Sequence, residues 1–327
     1  MYVLMVCFLY DREYDKKKQG GRMAHNPVTA SRSALSSSTA IRFFSTARPY
    51  RIGWCLIGML VLLAGCTTRF AYNNLDSLIA YRIDDYVDLT RQQDNVLDRE
   101  LTQALQRHRQ QGLPPIHRAL DRLQADILTP MTFAQIRQYH YLFTGIGQNA
   151  ASDLAKPLAA TLSLLSDQQV SQLNRELQQR FNEWDKERRG LSEAERLNKR
   201  TERLIDTTED WVGRTTPTQR ALLKELAGYQ LEMSPTFLAM RQQYWQRWQS
   251  LLKTRRQAGF EAQFSQLLRD MMALNSPSHQ GSMNMYLNRR FELMLRLQHS
   301  LSDKQRQTLN RKLVNLRKDV AVLIQQK

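Results

Sequence analysis

The chain has 327 residues, 42% hydrophobic and 24% charged, which excludes a disordered, apolar-poor polymer and leaves ample material for a core. Thirteen glycines and nine prolines are too few for a turn-rich all-β protein, and three cysteines cannot frame a domain of this size with disulfides. The formal charge is +16, from 47 Lys and Arg against 31 Asp and Glu.

Residues 1–47 carry a basic cluster, Lys16 to Lys18, and a Ser-rich tract from Ser31 to Ser38. This stretch is expected to be a disordered leader or the product of a start placed too far upstream, and it is set aside from fold reasoning. Residues 48–65 read as a signal peptide. Arg48 and Arg51 flank an apolar run from Ile52 to Leu63, and small residues, Ala64 and Gly65, close it. The run is about 12 residues, whereas a helix crossing a bilayer needs about 20.

Leu63-Ala64-Gly65-Cys66 resembles the lipobox of bacterial lipoproteins. The resemblance implies cleavage before Cys66, transfer of a diacylglyceryl group to its thiol, and acylation of the new amino group. Cys7 follows bulky Val6 and Cys55 follows Trp54, so neither fits the pattern. Thr67 stands where an Asp marks inner-membrane retention in enteric bacteria, so the analogy implies the outer membrane, facing the periplasm, with the inner membrane as the alternative. All three cysteines lie at or before the cleavage point. The mature body, residues 66–327, would then hold itself together by packing, without a disulfide.

Just past the cysteine, Ala71-Tyr72-Asn73-Asn74-Leu75-Asp76 and Asp84-Asp85-Tyr86-Val87-Asp88-Leu89-Thr90 resemble the mature start of an uncharacterised Gram-negative lipoprotein family, a domain of unknown function. The resemblance implies an anchored helical protein and supplies no activity.

The body is expected to be all-α: about ten helices, no sheet, in an antiparallel bundle or irregular array. It forms one unit or divides near 212/213. Apolar residues recur at steps of three and four. Leu97, Leu101, Ala104 and His108 form one stripe, followed by Ile116, Leu120, Leu123 and Ile127, then Phe133, Ile136, His140 and Phe143. Val170, Leu173, Leu177, Phe181 and Trp184 continue the pattern, as do Leu222, Leu226, Tyr229 and Met233. Phe260, Phe264, Leu267 and Met271 come next, and Leu309, Leu313, Leu316, Val320 and Leu323 end it. Gly112-Leu113-Pro114-Pro115, Thr129-Pro130, Thr216-Pro217, Ser234-Pro235 and Ser276-Pro277 are expected stops, the hydroxyls serving as N-caps before proline. Gly145-Ile146-Gly147-Gln148-Asn149-Ala150 matches a loose dinucleotide string but follows a helical pattern, so it is expected to be a helix end or kink.

A Leu-Ser/Thr-x-x-Gln start recurs at Leu89 to Gln93, Leu165 to Gln169 and Leu301 to Gln305, with a weaker copy at Thr216 to Gln219. Physically it is a capping box. It also resembles the short signature of small periplasmic stress-response chaperones. The separations from 93 to 169 and from 169 to 305 are 76 and 136 residues, which excludes a solenoid of one fixed period.

Charge is lopsided. Residues 66–210 hold 19 basic and 21 acidic side chains, residues 211–327 hold 19 and 7. Arg241, Arg247, Lys253, Arg255 and Arg256, interleaved with Tyr244, Trp245 and Trp248, could contact an anionic envelope surface; export argues against nucleic acid. The blander reading puts Tyr244, Trp248 and Leu251 in the core and the arginines on a solvated rim. No metal or cofactor is expected. The pairs His117 and Asp121, Asp84 and Asp88, and Asp94 and Asp98 read as surface charges, and His108 and His140 as core histidines. No nucleophile-elbow, zinc-protease or phosphate-loop pattern occurs, and isolated Glu183 and Glu225 are the remaining acid candidates. The expectation is a non-enzymatic envelope binding or scaffold factor, with a chaperone-like protein and then a peptidoglycan-cleaving enzyme as alternatives.

Overall fold

The computed structural model describes residues 68–326. The leader, the signal peptide and the lipobox residues Leu63, Ala64, Gly65 and Cys66 lie outside the described residues. A helical lead-in over 68–73 runs into α1 (Leu75–Asp84). Then follow α2 (Arg91–Arg107), a π turn (His108–Gly112), α3 (Leu113–Asp126), α4 (Phe133–Leu164), α5 (Asp167–Arg189) and α6 (Glu193–Val212). The second part contributes α7 (Pro217–Glu232), α8 (Ser234–Lys253), α9 (Phe260–Ala273), α10 (Gln280–His299) and α11 (Asp303–Gln325). The described residues contain no strand, so the protein is all-α.

Helices distant in sequence pack extensively: α4 with α9, α2 with α4, and α3 with α11. The first and third of these join residues from both sides of position 212. One core gathers Leu113, Leu120, Ile136, Tyr139, Phe291, Leu313 and Leu323 from α3, α4, α10 and α11. A second gathers Val87, Ala155, Ala159, Leu173, Leu252 and Phe264 from the α1–α2 link and from α4, α5, α8 and α9. The long α4 crosses both. Gly145 and Gly147 lie inside it, correcting the expected kink. A Cβ on Gly147 would sit 3.0 Å from Met272 Sδ, so the glycine lets α9 come close.

One other expected stop differs, and for a physical reason. Gly112 to Pro115 does not break the chain but carries it through a π turn, in which Leu113 N–H donates to His108 O, five residues back. Pro114 and Pro115 have no N–H to give to the carbonyls of Gln110 and Gln111, and their rings crowd those carbonyls, so a wider turn relieves the clash. A Cβ on Gly112 would fall 2.4 Å from His108 Cδ2. Only glycine lets that ring lie back over the turn. Of the hydroxyl-proline pairs, Thr216 alone caps a helix as expected. Ser234 lies within α8, whose first helical residue it is, and Ser276 precedes a short 3-10 turn without capping it. The cap after Pro130 is Thr132.

The recurrent Gln starts are capping boxes at Thr90, Ser166, Thr216 and Ser302, with two more at Thr132 and Ser192. Four of them pair. Gln93 Nε2 donates to Gln169 Oε1 at 3.0 Å and to Leu164 O at 2.9 Å. Gln169 Nε2 returns a bond to Gln93 Oε1 at 2.7 Å and reaches Asp88 O at 2.7 Å. Gln219 and Gln305 repeat this arrangement, with Ser300 O and Arg214 O as the carbonyl acceptors. In each case the carbonyl belongs to the residue two before the partner's cap. Both donors and both acceptor positions of every amide are used.

Candidate functional site

The basic segment of α8 and its exit turn was the sequence's candidate contact surface. Arg241 donates to Asp185 Oδ2 at 2.7 Å and its guanidinium lies over the rings of Phe181 and Trp184. Arg247 pairs with Asp270 at 2.9 Å. Arg255 is a correction: it is only 6% exposed and gives its donors to Leu165 O, Leu252 O and Asp167 Oδ1. It is thus a buried strut and not a surface contact. Its bond holds the Asp167 carboxyl below its ordinary pKa. Arg256 also reaches Leu165 O, at 3.1 Å, from an exposed position, and Lys253 is exposed. Tyr244 is buried, and Trp248 and Leu251 pack against core residues as the blander reading had it.

Between α8, α9 and the loop after α9 lies an open cleft of roughly 630 Å³, lined by Gln243, Arg247, Ser250, Gln266, Asn275 and Ser276 among others. Asp270 ties three of its lining residues together. One carboxyl oxygen takes Arg247, the other accepts from Gln266 at 2.9 Å and Asn275 at 3.1 Å. The Tyr244 hydroxyl lies 2.8 Å from Asn275 O, and burial pushes its pKa up, with Asp270 adding to the rise. Ser276 Oγ donates to Gln243 Oε1 at 2.8 Å and sits 3.0 Å from His279 Nδ1. Ser278 Oγ lies 3.1 Å from the same nitrogen, so the two hydroxyls and the imidazole form one small cluster. The cleft offers amides, hydroxyls and one guanidinium paired with a carboxylate.

A second polar group lies at the π turn. Tyr72 OH is 2.9 Å from His108 Nδ1, and the Arg109 guanidinium lies over the Tyr72 ring and donates to Asn73 Oδ1 at 3.0 Å. Burial lowers the His108 pKa and raises those of Tyr72 and Asp153; the nearby charges of Asp153 on His108, and of His108 and Arg107 on Asp153, partly oppose these shifts. Sequence reading found His108 as a core residue but missed the group, because Tyr72, His108 and Asp153 come from three separate segments. His140 lies against Phe291, and burial, then Arg290, lowers its pKa to about 4.

Of the carboxylate pairs, Asp84 comes near Asp88, Asp94 and Asp98. Burial raises the Asp84 pKa most, and its acidic neighbours add to it. Asp121 pairs with Arg317 and not with His117. No group of three or more metal-ligating side chains is assembled among the described residues. Glu225 is engaged by Tyr229 OH at 2.8 Å and Arg296 at 3.3 Å, and Glu183 by Gln179 at 3.1 Å. No described helix is long and apolar enough to cross a membrane.

A model of the family of unknown function DUF6279 matches residues 85–280. The chain belongs to that family. The stretch shared with DUF6279 takes in the π turn, the Gln93–Gln169 clamp and the α8–α9 cleft. It leaves out Tyr72 and the Gln305 half of the second clamp. No curated protein and no solved structure matches.

Proposed function

We propose that the chain is a lipoprotein, exported and cleaved before Cys66, and held by acyl chains on that cysteine to the outer membrane, with its helical body in the periplasm. One observation carries this reading: a basic flank, a short apolar run and Leu63-Ala64-Gly65-Cys66 follow one another, and no cysteine occurs afterwards. Three long acyl chains on one residue make release negligible, since each buried methylene contributes about 0.8 kcal/mol. The body works by binding, as a scaffold or accessory factor in envelope maintenance whose partners are envelope proteins or anionic envelope components. The cleft's amides and hydroxyls support binding over catalysis.

Radiolabelled palmitate should enter the wild-type chain and not Cys66→Ser, and the labelled protein should fractionate with the outer membrane. Equal labelling of both, or a native polypeptide running intact through position 66, would sink the reading.

A further inference from the structure

The lead-in and α1 present an apolar stripe to solvent. Phe70 is 69% exposed, Tyr81 66% and Leu78 39%. These are large apolar side chains on one face of a short helix. Asn74 N–H donates to Phe70 O and Leu78 N–H to Asn74 O, so the helical register carries through the junction. Phe70, Leu78 and Tyr81 therefore share a side, about 16 Å long at the helical rise of about 1.5 Å per residue. The opposite side is used: Ile79 is buried with Leu97 and Leu101, with Leu75 and Ile83 packed against them. The helix is also fastened to the body, by Arg69 to Asp319 at 2.9 Å and by Asn73 Nδ2 to Gln326 Oε1 at 3.1 Å.

We infer that this stripe lies on the bilayer into which the Cys66 acyl chains insert, its occupant being the lipid interface of that leaflet. The inference rests on the tether proposed above. Cys66 precedes Phe70 by four residues. Even a fully extended chain, at about 3.5 Å per residue, leaves Phe70 within about 14 Å of the lipidated residue. The interfacial zone of a leaflet is several ångströms deep, and an aromatic side chain held this near it settles there, as Trp and Tyr do in membrane-interface belts. Because the helix is bonded to the body, docking the stripe fixes the body's orientation above the membrane instead of leaving it on a swivel.

The test uses the full lipidated protein in vesicles of phosphatidylethanolamine and phosphatidylglycerol. The mature body has no thiol beyond Cys66, so Tyr81→Cys gives one attachment point for an environment-sensitive fluorophore. Tyr141→Cys, exposed 55% on α4, is the reference, and far-UV circular dichroism checks that both fold. A headgroup-proximal nitroxide lipid should quench the label at 81 at least twofold more than the label at 141. Equal quenching on protein that floats with the vesicles and carries acyl groups at Cys66 by mass overturns the stripe and leaves the tether standing. Protein that lacks the acyl groups and does not float overturns both. A label at 81 shielded in detergent, on a chain that sediments as a dimer, assigns the stripe to a second copy and overturns the lipid contact.

Discussion

Gln219→Ala tests whether the paired capping boxes are the fastenings of this fold. Gln219 is 0% exposed. Its Oε1 accepts from Thr216 N–H at 3.0 Å and from Gln305 Nε2 at 2.8 Å, and its Nε2 donates to Ser300 O at 3.0 Å and Gln305 Oε1 at 2.9 Å. Truncation strips the buried Gln305 of one donor and one acceptor partner and leaves Ser300 O and Thr216 N–H to find others. At about 1–3 kcal/mol per buried orphan, with the half-exposed groups rescued by water, the loss should be about 3–5 kcal/mol. Gln135 makes the same box with Thr132, with no amide of the described residues bonded across from it. Gln135→Ala should cost about 1 kcal/mol, the net worth of an ordinary hydrogen bond. In thermal unfolding followed by circular dichroism the first should lower Tm by roughly 8–15 °C and the second by roughly 2–4 °C. Gln219→Glu keeps the shape and the cap bond but cannot donate, so it should be at least as damaging as alanine. The double variant Gln219→Ala/Gln305→Ala should fall short of the summed single losses by about 1–3 kcal/mol, since the second truncation removes the amide that the first orphaned. Equal costs at 219 and 135, or strict additivity of the pair, would refute the argument.

Gly112→Ala should drive a Cβ into the His108 ring, separate His108 from Tyr72 OH, and cost about 1–3 kcal/mol, read as a Tm loss together with a changed His108 imidazole resonance. Arg255→Met should cost about 2–4 kcal/mol by leaving Leu165 O and Leu252 O short of donors, while exposed Lys253→Glu should change urea unfolding by less than about 0.5 kcal/mol. His140 is neutral in the fold down to about pH 4 but takes a proton near pH 6.5 once unfolded. Stability it leaves intact above pH 6.5 should therefore drain as pH falls toward 4 and then level off, and His140→Phe should flatten that slope, with His108 retaining a share of it. Glu209 titrates in a lower window. Bonds from Thr215, then from Arg220, hold it at about 2, so its contribution is present above pH 4.5 and lost below, and Glu209→Gln should alter the stability profile only there.

What the sequence made legible was local. Steps of three and four marked the buried faces of α2, α3 and α9 because a helix repeats its own geometry whatever it packs against. The Ser/Thr-x-x-Gln starts were legible because a capping box closes within four residues. The partner of each start was not, since the 93–169 and 219–305 pairings depend on which helices meet. Counting offsets from 169 to 305 compared members of different clamps. Arg255 was misplaced because it stands beyond Lys253, the last residue of α8; in the turn there, side-chain direction no longer follows the helical period. The Pro114-Pro115 stop failed because two missing N–H groups end an α-helix only if no wider turn can take the strain, and the glycine at 112 permits one.

No cysteine follows residue 66, so the described helices close long loops without a disulfide among them, and the clamps do this. Gln93 to Gln169 and Gln219 to Gln305 each span a stretch of chain that a disulfide would be expected to staple, at a cost in closure entropy that grows only slowly with length. Each places its bonds where two helices begin, at backbone groups that otherwise lack partners, so one amide pair satisfies two helix starts and fixes their mutual position. The same economy recurs at the chain's ends. Arg109, projecting from the π turn, bonds Asn73, and Asn73 bonds Gln326, so the first and last described helices and the turn between α2 and α3 meet at one place. A pull on the start of the described chain would therefore enter the fold at three elements at once, and not through a single fraying helix.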